Sequence, residues 1–369
     1  MAIRLNWRAL FIGIFFLSCT SSTIKSQTVE ILPAAALKPY GRYTINDDKN
    51  LELISSAVHF GYSFQGKECR IYVSLPSGQD HNYLQYELDG KYQKKIKVSG
   101  NSNEPVVLST PKDGTHTVWI YKATEATTGA ITIQKITGKN LKPLQEKPAP
   151  LIEFIGNSIT CGAAADASEV PCGTGEYHDH HNAYYAYGPR VARALAVNYI
   201  LSSVSGIGAY RNWNSDGPTM PQVYEKLDFQ ENNTKNWDFK KYRPKVISIA
   251  LGTNDFSNGD GIKKRLPFDS AAFVSAYIKF VQLVKSKYPE ARIGLLSSPM
   301  INGDSRITLQ NCLTAVKEKI DAQYASEKKI ALYFFEPMEP HGCSGHPSVE
   351  DHAILARELV PFFKKLLQN

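Results

Sequence analysis

The second half of the chain carries a repeat that leaves few folds open. Apolar runs of the buried-strand type recur at Leu151–Ile155, Tyr199–Val204, Val246–Leu251, Ile293–Leu296 and Ile330–Phe335. Stretches of helical period, Asn182–Ala196, Phe268–Lys287, Ile307–Tyr324 and Val349–Leu367, alternate with them. Apolar strand followed by helix, again and again, predicts a parallel sheet covered by helices on both faces. Right-handed crossovers then leave a doubly wound, flavodoxin-like sheet of five strands over residues 151–369.

The preceding region has a different period. Phe60, Tyr62 and Phe64 alternate, as do Cys69, Ile71, Val73 and Leu75, and Tyr83 to Leu88 runs into the hairpin signal Asp89-Gly90. Short strands follow at Lys95–Val98, Val106–Leu108, Thr117–Tyr121 and Ala130–Ile136. About eight short strands joined by turn chemistry predict a β-sandwich of jelly-roll type over residues 29–137. Residues 138–150 hold three prolines, several lysines and little apolar content, and so read as a linker.

The first nineteen residues read as an export signal. Arg4 and Arg8 precede the apolar run Ala9–Leu17, which at nine residues is too short to span a bilayer as a helix. Phe16-Leu17-Ser18-Cys19 resembles a lipoprotein cleavage box, with Cys19 as the lipidated first residue of the mature chain; ordinary cleavage nearby is the alternative. The expected location is the outer membrane or cell surface, otherwise the periplasm or medium, with membrane contact only through that anchor. A net charge of +7 spread along the 369 residues, with no basic helical stripe, argues against a nucleic-acid partner. Beyond Cys19 there are five cysteines, so at least one thiol per chain stays unpaired. Cys161 lies three after Ser158 and Cys343 three before His346, so these two meet if those residues are partners; Cys161 with Cys172 is an equally good pair. The sequence sets no oligomeric state.

In doubly wound sheets, sites form beyond the carboxyl ends of the strands. Four polar segments fall there: Gly156-Asn157-Ser158, Ser205-Gly206-Ile207-Gly208, Gly252-Thr253-Asn254-Asp255 and Gly345-His346-Pro347-Ser348. Acyl transfer needs a nucleophile, a base and fixed donors for an oxyanion. A serine on a tight turn, a glycine whose N–H a substrate can approach, an asparagine amide and a late histidine supply those parts.

These segments resemble the four motif blocks of the SGNH (GDSL-type) hydrolases. The longer strings Phe154–Gly162, Ser205–Asn212, Leu251–Ser257 and Gly342–Ser348 are similar to carbohydrate esterase family two, which joins a jelly roll to an SGNH domain and removes acetyl groups from xylan and glucomannan. The resemblance implies Ser158 as nucleophile, His346 as base, and Ser158, Gly206 and Asn254 as oxyanion donors, with no cofactor and no metal. It implies an acetylated polysaccharide or oligosaccharide as partner, with Tyr210 and Trp213 as candidate sugar-stacking aromatics. A lipase, thioesterase or arylesterase on the same scaffold is the alternative enzyme. A carbohydrate-binding surface protein with a decayed site is the non-enzymatic one.

One departure from the superfamily stands out. A triad acid is expected two or three residues before the histidine, where this chain has Ser344 and Cys343. Glu350 and Asp351 belong instead to a capping box, Ser348-Val349-Glu350-Asp351, that starts the last helix. The expected arrangement is therefore a Ser–His dyad with a backbone carbonyl orienting the imidazole. Asp255 is expected to brace the turn that holds Asn254, and Trp237 to lie in the core. The histidine-rich run Glu176–His181 lacks helical ligand spacing and reads as a polar loop at the site's rim.

Overall fold

A computed structural model describes residues 1–2, 29–102 and 104–368. The apolar leader and Cys19 lie outside the described residues. Among the described residues no helix is long and apolar enough to cross a membrane.

Nine strands make the N-terminal unit: β1 (Glu30–Pro33), β2 (Tyr43–Ile45), β3 (Leu51–Leu53), β4 (His59–Ser74), β5 (His81–Leu88), β6 (Lys91–Ser99), β7 (Val106–Ser109), β8 (Thr115–Lys122) and β9 (Ile131–Leu144). They pair antiparallel in the order β2-β3-β9-β4-β8-β5-β6, with β1 on β9 and β7 on β4. The sheet folds over itself because its longest strand changes partners. His59–Gln65 of β4 pairs with β8, Glu68–Ile71 pairs with β7, and the register to β9 slips between Gln65 and Arg70. Such slips bend a strand and let one sheet form both layers of a sandwich. The alternating Phe60, Tyr62 and Phe64 meet Ile71, Val118, Ile120 and Ile133 in its core.

The expected linker is shorter than residues 138–150. β9 continues to Leu144, with Lys142, Pro143 and Leu144 opposite Ser63, Tyr62 and Gly61. Beyond Gly138 this stretch pairs with β4 alone, and an edge strand accommodates Pro143. Only residues 145–150 separate it from the next strand.

The C-terminal unit holds β10 (Leu151–Gly156), α1 (Ser158–Cys161), α2 (Tyr187–Leu195), β11 (Asn198–Ser203), α3 (Met220–Val223), β12 (Val246–Ala250), α4 (Thr253–Phe256), α5 (Ser270–Lys287), β13 (Arg292–Leu296), α6 (Gly303–Gln323), β14 (Ala331–Tyr333) and α7 (Val349–Gln368). Its five strands are parallel in the order β11-β10-β12-β13-β14, the flavodoxin-like order. Helices α2 and α7 pack together, as do α5 and α6, each pair with its own apolar core against the sheet. Helix α2 begins at Tyr187 rather than near Asn182, which places Pro189 in its first turn, where a proline costs least. The expected capping box is present: Ser348 N–H donates to Asp351 Oδ2 at 2.9 Å, and Asp351 N–H to Ser348 Oγ at 3.1 Å.

The two units share a polar interface. Strand β5 is buried from His81 to Tyr86, because its polar residues face the second unit rather than water. Gln85 donates to Asn182 Oδ1 at 2.6 Å and Tyr184 to Glu87 at 2.5 Å. At the other end, the fully buried Arg42 donates to the carbonyls of Tyr224 (2.8 Å) and Lys226 (2.6 Å) and lies 4.1 Å over the Phe229 ring. Trp237 is buried there, as expected.

Candidate active site

Ser158 opens the short helix α1 one residue beyond Asn157, which follows the end of β10. The turn is tight: a Cβ on Gly156 would lie 2.1 Å from Thr160 Oγ1, so only glycine fits. Asn157 caps α1 by accepting from the Ile159 N–H at 3.1 Å. This accounts for Gly-Asn-Ser in place of Gly-Asp-Ser, since an amide oxygen caps as a carboxylate does. Gly156 pairs with Ser203 of β11 and Ala250 of β12, so the chain segments bearing Ser158, Gly206 and Asn254 leave the sheet at one level. They flank the point where strand order reverses.

Gly206 has φ +74°, a left-handed turn that suits glycine. Asn254 donates one amide hydrogen to Ile207 O at 2.7 Å, which ties it to the loop after Gly206. Its amide carries a second hydrogen. Asp255 is buried and its carboxylate accepts from the N–H groups of Ala209 (3.0 Å), Tyr210 (2.8 Å) and Arg211 (3.2 Å). The expected bracing role therefore falls on the glycine-block loop. Burial raises the pKa of Asp255 despite those donors.

His346 sits on a loop fastened to the segment leaving α1. Cys343 N–H donates to Ala164 O at 2.8 Å, Val349 N–H to Ala165 O at 3.0 Å, and a disulfide joins Cys343 to Cys172. Neither pairing with Cys161 forms. That thiol is buried and unpaired, 3.1 Å from Ser203 Oγ, and burial raises its pKa well above the ordinary range. His346 Nδ1 lies 2.9 Å from Ser344 O. A carbonyl only accepts, so Nδ1 carries the proton and Nε2 keeps its lone pair. Ser344 aims this carbonyl from a left-handed conformation, φ +50°, which costs a non-glycine residue about 1–2 kcal/mol. Desolvation and the neighbouring His181 lower the pKa of His346 against opposing contributions from the Ser344 and Cys343 backbone and Glu125. The imidazole is thus held as a free base. Its Nε2 accepts from Tyr177 OH at 3.3 Å, and no hydrogen bond joins it to Ser158 Oγ. Such contacts are often loose before substrate binds.

The other histidines are placed elsewhere. His341 is exposed and paired with Asp351 at 3.0 Å, and His352 is buried on α7, where desolvation lowers its pKa to about 3.

Two residues of this site were not foreseen. Tyr177, in the expected rim loop, bridges His346 Nε2 and Ser205 Oγ (3.4 Å). Glu125 comes from the sandwich, just after β8, and is 4% exposed. Its Oε2 accepts from Ser205 N–H at 2.5 Å, next to Gly206, and Oε1 lies 3.6 Å from His181 Nε2. Burial alone would raise its pKa, but His181 and Ser205 outweigh burial and lower it, so the carboxylate is charged. An isolated glutamate in Lys122-Ala-Thr-Glu125-Ala carries no sequence signal for this role.

A cleft of about 760 Å³ opens beside Ser205 and Gly206, with Trp213, 44% exposed, and Asn214 on its wall. Tyr210 does not line it. Its ring packs edge-on against Phe268 and Phe273 and its hydroxyl accepts from Asp269 N–H, so the stacking role expected of it is corrected to a packing one. Of the two aromatics singled out, only Trp213 faces the cleft.

Residues 154–345, just over half of the chain, match the GDSL-like lipase/acylhydrolase family. The chain belongs to that family. Residues 40–148 match the domain described as carbohydrate esterase 2 N-terminal, so this GDSL-family hydrolase has the two-part build of the family two carbohydrate esterases. It is 27% identical over 371 residues to an acetylxylan esterase / glucomannan deacetylase of Cellvibrio japonicus, covering 97% of each chain. It is 30% identical to the cellulase/esterase CelE of Acetivibrio thermocellus over 89% of this chain and 39% of that longer one. A family two carbohydrate esterase from Clostridium thermocellum, solved with cellohexaose, superposes with a TM-score of 0.77 at 27% identity, over 92% of this chain and 99% of that one. The protein is a carboxylic ester hydrolase of this carbohydrate-esterase type.

Proposed function

We propose that the protein is exported and removes O-acetyl groups from plant polysaccharides such as acetylated xylan or glucomannan, through an acetyl-serine intermediate. The observation that carries this reading is the His346 imidazole, held by Ser344 O so that its unprotonated Nε2, met by the Tyr177 hydroxyl at 3.3 Å, is the nitrogen that takes a proton, on a loop bonded to the segment that follows Ser158. Ser158 Oγ attacks the acetyl carbonyl carbon while its proton passes to His346 Nε2. The N–H groups of Ser158 and Gly206 and the second amide hydrogen of Asn254 receive the oxyanion. As the tetrahedral intermediate collapses, Nε2 returns the proton to the departing sugar oxygen. Water, deprotonated by the same nitrogen, then releases acetate and restores Ser158. Glu125 acts as a positioning residue by fixing the N–H of Ser205 beside Gly206. The open cleft with Trp213 suits a glycan chain, because an indole face stacks on the apolar face of a pyranose.

Export is supported by the Arg4, Arg8 and Ala9–Leu17 pattern and by a disulfide, which persists in oxidising compartments. Lipidation at Cys19 would anchor the mature chain; labelling with a radioactive fatty acid, lost in Cys19→Ala, tests it. The activity is tested by acetate release across acetylated xylan, acetylated glucomannan and long-chain acyl esters. The acetylated glycans should be the better substrates, and a preference for long acyl chains would overturn the reading.

A further inference from the structure

His81, His178 and Asp179 stand outside the reaction just described, and they bring metal-ligating groups together from both units. His81 is on β5 of the sandwich; His178 and Asp179 lie on a single helical turn, Tyr177–His180, of the hydrolase unit. One ligand atom from each lies within 4.8 Å of the other two. His81 and Asp179 are buried, at 6% and 5% exposure.

The contacts within this cluster call for a cation. His81 Nδ1 is 2.7 Å from Asp80 Oδ2, and its Nε2 is 2.6 Å from Asp179 Oδ1. An imidazole with a carboxylate at each nitrogen needs either a second proton or a metal on one side. With the proton on Nδ1 and bonded to Asp80, Nε2 turns its lone pair towards Asp179. That is the way outer carboxylates orient metal-binding histidines. The third group favours a metal over a proton. His178 stands 4.6 Å from the His81 ring, centroid to centroid, and its Nε2 is buried with no hydrogen-bond partner. A proton shared by His81 and Asp179 does nothing for His178, whereas a metal ion in the cluster would take one of its ring nitrogens as a ligand.

We infer that His81, His178 and Asp179 form a site for one divalent transition-metal ion, zinc in the first instance, that clamps the sandwich to the hydrolase unit. Two imidazoles and a carboxylate suit zinc and not the hard, oxygen-seeking calcium or magnesium. Zinc bonds of about 2.0–2.2 Å place tetrahedral ligands roughly 3.3 Å apart, so His81 Nε2 and Asp179 Oδ1 would part from 2.6 Å to admit the ion, with His178 as third ligand and water as fourth. Asp179 is already fixed by Tyr83 OH on Oδ1 (2.7 Å) and Glu176 N–H on Oδ2 (2.7 Å). The ion would act through position, since the same turn starts with Tyr177, whose hydroxyl meets His346.

The full chain, stripped with a chelator and dialysed, is titrated with zinc chloride by calorimetry and by competition with a chromophoric chelator. One zinc per chain is expected, with a rise in Tm, and no comparable response to calcium or magnesium. His178→Ala and, separately, His81→Asn should each weaken zinc at least tenfold with an unchanged circular dichroism spectrum, while His346→Ala binds zinc as wild type does. Absence of stoichiometric zinc binding would overturn the inference and leave the cluster an ion pair of protonated His81. Zinc binding that both cluster variants retain would overturn it equally. Neither result depends on esterase activity, so the proposed function stands or falls separately.

Discussion

Replacing Glu125 with glutamine should slow catalysis without changing any group that touches substrate. Its carboxylate accepts the Ser205 N–H at 2.5 Å in a site 4% exposed, a charge-assisted bond in low dielectric. Such bonds contribute about 1.5–3 kcal/mol, roughly twice a neutral one, so an amide oxygen in its place forfeits about 1–1.5 kcal/mol. If the Gly206 N–H meets the oxyanion mainly in the transition state, kcat falls about five- to tenfold, at about 1.4 kcal/mol per decade. Glu125→Ala leaves the donor unpaired and should cost up to about 10²-fold. A second readout separates positioning from loss of fold. The negative charge favours protonated His346, so its removal lowers that pKa and moves the acid limb of kcat/KM to lower pH. Initial rates on a small acetyl ester across pH, with circular dichroism and Tm, measure both effects. A Glu125→Gln enzyme with wild-type kcat and an unmoved acid limb would refute the reasoning.

Further outcomes follow from the same geometry. Asn254→Ala should lower kcat by about 10²–10³ with KM little changed, as loss of one oxyanion donor does, measured by steady-state kinetics. In the wild type, the depressed His346 pKa keeps the base form at lower pH than an ordinary imidazole, so the acid limb of kcat/KM should fall below about 6.5. Asp351→Asn should weaken the start of α7 by about 0.3–1 kcal/mol in urea unfolding, as loss of a first-turn negative charge does, and leave kcat intact; a loss matching that of His346→Ala would make Asp351 the missing acid. Burial raises the pKa of Asp351, but Ser348 and His341 outweigh it, so the native value is depressed. Its contribution to stability is therefore full above about pH 4 and lost as pH falls through the lowered value. Removing the Cys172–Cys343 bridge by Cys172→Ser with Cys343→Ser should cost about 2–5 kcal/mol, read as a lower Tm in thermal unfolding, and should slow turnover as the His346 loop loosens.

The parallel sheet was legible because its strands are short, mostly apolar runs that alternate with longer stretches of helical period, a pattern that needs no long-range information. The positions of Ser158, Gly206 and Asn254 at one level follow from that topology alone. The sandwich was legible from alternation, yet the end of β9 was not, because Pro143 and the lysines of an edge strand look like a linker. The polar face of β5 reads as solvent-exposed in a sequence, while His81, Asn82 and Gln85 are buried against the second unit. For the same reason Glu125 escaped notice, since only the docking of the two units brings it to Ser205. The absence of an acid at positions 343 and 344 could be read directly, but the left-handed Ser344 that turns its carbonyl to His346 could not. Tyr210 misled because sequence adjacency to Gly206 says nothing about which way a ring points.

The central claim is that Ser158 and His346 carry out acyl transfer as a pair. Acetate release from acetylated xylan by wild type, Ser158→Ala and His346→Ala, at matched concentration and with folding checked by circular dichroism, tests it most directly. Each variant should lose at least about 10⁴-fold in kcat while its Tm stays near wild type. Substantial turnover by either folded variant would contradict the account.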